Sequence, residues 1–121
     1  MGLFSDKSCR VDLAYCRDIN YVFNAVGYAA QMCGFTIESV DNQNYIINLK
    51  KSISLLTWGE RVYIAMGVIP DGRTGVTIVS QPNLGTEIGA RKQNQKNVEM
   101  LVTMINQYVQ PDTSYQQPAQ Y

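Results

Sequence analysis

Hydrophobic positions along the chain follow two periods. Between residues 19 and 33, Ile19, Val22, Phe23, Val26, Ala29, Ala30 and Cys33 recur three or four apart, which puts them on one stripe of an amphipathic helix. Asp18 stands just ahead as an N-cap, its carboxylate placed to accept from the free N–H groups of the first turn. Gly34 follows as the C-cap. Gly27 interrupts the helix at a cost of ~1 kcal/mol relative to Ala, which suggests a close approach of the helix backbone to a sheet. A second helical run covers about 90 to 109, where Val98, Leu101, Val102, Ile105, Tyr108 and Val109 form the stripe and Pro111 ends it. Its opening, Arg91 to Asn97, is polar throughout.

Between the helices the period drops to two. Phe35, Ile37 and Ser39 alternate with Thr36, Glu38 and Val40, and Asp41 to Asn44 is a turn cluster. Tyr45, Ile47, Leu49, Lys51, Ile53 and Leu55 then share one parity, as one bent strand or two short ones broken near Lys50 and Lys51. Arg61 to Ile69 is apolar on both parities and reads as a central strand. Pro70 to Gly75 is a turn, since Pro presets φ and Gly supplies positive φ. Val76 to Ser80 is the returning strand. Ahead of the first helix, Val11, Leu13 and Tyr15 share one side at a period of two, a first strand over 10–15 with a helical start to the same segment as the alternative. Strands joined by short turns pair antiparallel. The expectation is an α+β two-layer sandwich in the order β-α-β-β-β-β-α, with two amphipathic helices on one antiparallel sheet of four to five strands.

Composition adds boundaries to that pattern. The chain has 121 residues, 45% of them hydrophobic, enough for one core. Residues 1–8 read as a mobile lead-in and 9–110 as the folded domain. Residues 111–121 are rich in Gln, Pro and Tyr, lack the aliphatic content of a core, and read as disordered. Ten Lys and Arg balance ten Asp and Glu, unlike the basic surplus of proteins that bind nucleic acid or acidic membranes through charge. The longest apolar stretch, Val62 to Ile69, is far short of the ~20 residues a bilayer requires. The opening residues show no secretory pattern. Asp6 occupies the place where a myristoylation motif needs Ser or Thr. Three irregularly spaced cysteines, Cys9, Cys16 and Cys33, make a poor disulfide framework and suit reduced thiols in a cytoplasmic protein.

The candidate chemistry is sparse. There is no histidine, so the commonest general base and the Ser-His and Cys-His nucleophile arrangements are absent. No cysteine pair has zinc-ligand spacing. Glu38, Asp41, Glu60 and Asp71 sit beside turns and strand ends, where solvated carboxylates are ordinary. There is no glycine-rich phosphate loop. Catalytic, metal and cofactor residues are therefore not assigned, and the expected role is a non-catalytic binding or protein-interaction module. Two clusters stand out. Trp58, Glu60 and Arg61 flank a glycine at a strand start, as a cap on the open end of the core or as an interaction surface. Arg91, Lys92 and Lys96 open the second helix, where cations oppose the helix dipole and a bound phosphate or carboxylate would relieve them. A solvated turn is the plainer reading.

The alternative role is a carrier of a small apolar or anionic ligand between helices and sheet, with Phe23, Val26, Leu55, Trp58, Met66 and Tyr108 as lining. Nucleic-acid binding would need Lys50, Lys51, Arg91, Lys92 and Lys96 on one face. An exposed sheet face would mark a partner surface or a homodimer contact.

In element order the chain resembles the TATA-binding-protein-like, helix-grip group of folds over roughly residues 9 to 109. Its short motifs are similar to those of small bacterial proteins of unknown function: Gly34-Phe35, Trp58-Gly59-Glu60, Asp71-Gly72, Ser80, and Arg91 through Asn97. The resemblance implies the fold and carries no activity.

Overall fold

The computed structural model describes residues 8–51, 59–82 and 90–109. The expected lead-in before residue 8, the tail over 111–121, and Ile53, Leu55 and Trp58 lie outside the described residues. The elements run β1 (Cys9–Tyr15), α1 (Ile19–Met32), β2 (Thr36–Asp41), β3 (Ile46–Lys51), β4 (Glu60–Val68), β5 (Thr74–Pro82) and α2 (Ala90–Tyr108). All five strands join one sheet in the order β1-β5-β4-β3-β2, with every pairing antiparallel. The α+β class and element order are as expected.

Local chemistry sets the ends of α1. The Asp18 carboxylate accepts from the backbone N–H of Asn20 at 2.9 Å and of Tyr21 at 3.3 Å. At the other end Gly34 turns at φ 85°. There its N–H donates to the Gln31 carbonyl and that of Phe35 to the Ala30 carbonyl, a Schellman closure that carries Phe35 into the core. In the β4–β5 turn the Asp71 carboxylate accepts from the backbone N–H and Nε of Arg73. Gly75 is required by a close approach, since a Cβ there would lie 2.8 Å from Ile69 Cγ2.

Both helices cover the same sheet face. α2 lies over β5 and β1, α1 lies toward β2 and β4, and the helices pack side by side. Between the layers sit Val22, Val26, Ile64, Ile78, Leu101 and Ile105, all fully buried. The apolar residues on both parities of β4 have a different cause from burial on both faces. Val62, Ile64 and Met66 point into the core, while Tyr63 is exposed on the other face, and Val68, in the inward row, is exposed only because the strand ends there. The strand is central in the sheet, but among the described residues no second layer covers its other face.

Gly27 also departs from expectation. A Cβ there would meet Ile47 Cδ1 at 3.9 Å, an ordinary contact, so close helix–sheet packing does not demand glycine.

Candidate functional site

The sandwich changes character toward the start of β4 and the first turns of α2. The inward parity that carries Val62, Ile64 and Met66 along β4 places Glu60 in the same row, and the parity of Val76 and Ile78 along β5 does so for Ser80. The apolar stripe of α2, followed toward its N-terminus, lands on Asn97 and Asn94. These four polar side chains are buried, with Glu60 only 1% exposed. They satisfy one another. Asn97 Nδ2 donates to Glu60 Oε1 at 2.9 Å, the Ser80 hydroxyl donates to Asn94 Oδ1 at 2.7 Å, and Gln93 Nε2 donates to Asn97 Oδ1 at 3.0 Å. The network ties the first turns of α2 to the two central strands.

Two expectations are corrected here. Glu60 is not a solvated strand-end carboxylate, because its strand position faces the helix layer. Nor do Glu60 and Arg61 form one surface, because successive strand residues point to opposite faces. Arg61 is on the uncovered face, paired with Glu38 at 3.1 Å. The polar opening of α2 is likewise not wholly solvated: Arg91, Lys92 and Lys96 are exposed, whereas Asn94 and Asn97 are buried. Asn94, Asn97 and Ser80 were legible only by extending each apolar row through its polar members.

A second feature lies on the outer side of the helix pair. A groove of about 430 Å³ runs between the end of α1 and the middle of α2, lined by Met32, Cys33, Lys96, Glu99, Met100, Thr103 and Met104. Met32 is 54% exposed. The Cys33 thiol donates to the Met100 carbonyl at 3.5 Å, and burial pushes that thiol up, against the opposing pull of Lys51. Cys33 thus stands as a half-buried wall of the groove. The Lys51 ammonium lies 4.7 Å from the centre of the Phe35 ring.

The structure thus brings Lys96, from the expected anion cluster, to an apolar groove and leaves Arg91 and Lys92 outside its lining. Of the expected carrier lining, Val26 is sealed in the core and Tyr108 stacks edge-on against Tyr28 at 4.8 Å. The five cations considered for nucleic acid do not share a face, since Lys50 and Lys51 are successive residues of β3. Cys9, Cys16 and Cys33 form no disulfide with one another.

Among the described residues no helix is long and apolar enough to cross a membrane. No protein-family model matches the sequence, and no curated protein matches it. Solved structures do resemble it. Ara h 8.0201 superposes with a TM-score of 0.58 at 8% identity, over 84% of this chain and 96% of that one. A protein from Thermobifida fusca, known by solution NMR, superposes with a TM-score of 0.57 at 8% identity, over 84% of this chain and 93% of that one. Likeness at such identity shows the fold alone: two helices on one face of a five-stranded antiparallel sheet, a helix-grip arrangement.

Proposed function

We propose that this chain is a non-catalytic binding protein that holds a small, elongated apolar molecule in the groove on the outer side of its helix pair. The observation that carries the reading is the groove itself. Its volume of about 430 Å³ falls in the range of small-molecule sites. Three methionines line it, and their unbranched, polarizable side chains adapt to apolar shapes. Lys96 at the rim suits an anionic end group, with Glu99 one helical turn away disfavouring a second negative charge. The absence of histidine from the sequence supports binding without chemistry. The setting that goes with this reading is the bacterial cytoplasm, in keeping with the small bacterial proteins that the motifs resemble.

The site differs from the one the sequence suggested. Val22, Val26, Ile64 and Leu101 fill the middle of the layer between helices and sheet; a space of about 310 Å³ lined by Phe23, Ile37 and Val40 remains between α1 and β2, smaller than the helix-pair groove.

Methyl NMR of the five methionines tests the proposal, with dodecanoate and dodecanol as probes. Saturable shifts at Met32, Met100 and Met104, with Met66 in the core unmoved, are expected. Dodecanoate should bind more tightly than dodecanol, and Lys96→Ala should remove the difference. Absence of shifts up to the solubility limit, or shifts centred on Met66, would refute the groove as the site.

A further inference from the structure

We propose that β1 is a pairing edge on which a second copy of this chain docks antiparallel, Val11 facing Val11, so that Arg10 and Asp12 of each copy meet Asp12 and Arg10 of the other. The inference does not use the helix groove and stands or falls separately from it.

The two edges of the sheet are treated differently. β2 is interrupted by a register shift between Ile37 and Ser39, a bulge of the kind that spoils an edge for further pairing. β1 has none. It pairs with β5 residue for residue from Cys9–Ser80 to Tyr15–Thr74 without a shift, and it contains neither proline nor lysine. Among the described residues no strand lies beyond it, so its other side presents a row of backbone N–H and C=O groups. Such an edge is a ready template for one more strand.

The inward side chains of β1 show the same incompleteness. Val76 and Ile78 on β5 are fully buried, whereas Cys9, Val11, Leu13 and Tyr15 are only partly so, although they pack on the same core. A strand added beside β1 would cover their open flank with apolar partners: in the proposed register Cys9 lies opposite Leu13 and Val11 opposite itself.

The outward side chains select the occupant. Arg10 and Asp12 project from the uncovered face two residues apart, their side chains paired at 3.2 Å and both more than half exposed. The Thr77 hydroxyl donates to Asp12 at 2.6 Å, and together with Arg10 it holds that carboxyl below its ordinary range. Asp12 therefore stays charged under ordinary conditions. In an antiparallel self-pairing centred on Val11, Arg10 falls opposite Asp12 at both ends of a two-fold axis. The result is four charges of alternating sign. Opposite charges across a strand pair stabilise it and like charges oppose it, and a self-complementary patch is what a two-fold interface requires.

Sedimentation of the full chain tests the idea. Dimer is expected at tens of micromolar. Arg10→Asp and Asp12→Arg each place like charges at two symmetric positions, and each should weaken the dimer roughly tenfold or more. Mixing the two variants in equal amounts makes every cross-strand pair opposite in charge and should restore a dimer of wild-type strength; so should the doubly substituted chain carrying Arg10→Asp with Asp12→Arg. Rescue on mixing also separates interface repulsion from damage to the fold. A chain that stays monomeric throughout would overturn the proposal, and so would a dimer indifferent to the substitutions or one not rescued by mixing.

Discussion

Asn97 is the side chain on which the polar end of the interior turns, since it donates to Glu60 and accepts from Gln93 within a site closed to water. Asn97→Ala would leave both partners short of a bond, a loss of about 1–3 kcal/mol in urea unfolding. Asn97→Asp keeps the shape but sets a second carboxylate against Glu60. It should be the more damaging of the two, because it replaces a donor to Glu60 by a second acceptor of like charge. A loss no larger than that of Asn97→Ala would contradict the assigned geometry. Gly27 offers a change of opposite sign. The space beside it accepts a methyl group, so Gly27→Ala should stabilise the chain by about 1 kcal/mol. Tyr15 gives a third residue-level test. Burial pushes its phenol up to about 12 from 10.0, and its hydroxyl donates to Asn106 at 2.6 Å. The folded state holds this proton more tightly than the unfolded one, so stability is complete below the unfolded value of 10.0 and is lost as pH rises through about 12. Tyr15→Phe should flatten that alkaline loss, as followed by circular dichroism.

At the scale of elements, α1 carries its own boundaries and α2 takes its position from the sheet. The Asp18 cap and the Gly34 closure are local, and Asp18→Ala should cost ~1 kcal/mol in thermal or chemical unfolding while leaving the groove intact. The opening of α2 is tied to residues distant in sequence. Arg91, Lys92 and Lys96 face solvent, and what holds these turns down is the contact of Asn94 and Asn97 with Ser80 and Glu60. Hydrogen exchange should therefore show the first half of α2 loosening before its second half in an Asn97→Ala chain, because Leu101 and Ile105 remain packed. Uniform loosening along α2 would mean that the network does not anchor it locally. Among the strands, β1 and β2 form a contrast: two edges of one sheet, one broken by a bulge and the other regular.

At the scale of the whole molecule, covering one sheet face with both helices creates three distinct surfaces. Among the described residues the interlayer is apolar in its middle, with the Glu60–Asn97 network at one end and buried Thr74, bonded to the Arg17 carbonyl, at the other. The outer seam of the helix pair forms the methionine groove. The uncovered sheet face carries Tyr63, Arg61 and the Arg10–Asp12 pair, and it extends to the open edge at β1. Groove and edge are built from different residues, so a charge-swapped monomer should bind dodecanoate as the native chain does. Linked loss of both properties would show that the two sites are not independent.

The sequence by itself determined what depends on near neighbours and on period. Helical spacing from Ile19 to Cys33 and from Val98 to Val109 is an instruction about faces, and the alternation of Val11, Leu13 and Tyr15 marks a strand. The Asp18 cap and the turns at Asp41 and Asp71 use atoms two or three residues away. All of these were readable, and with them the element order and the α+β class. Only the tertiary structure decided which contacts join residues distant in sequence. Glu60 looks like an ordinary strand-end carboxylate until Asn97, 37 residues on, closes over it. Lys96 looks like part of a basic turn until Met32 and Cys33 arrive from the other helix to make an apolar wall beside it. The polar members of an apolar row carry no label of their own, because the same side chain is solvated or buried according to what packs against it. That choice is made by the assembled layers and not by the local chain.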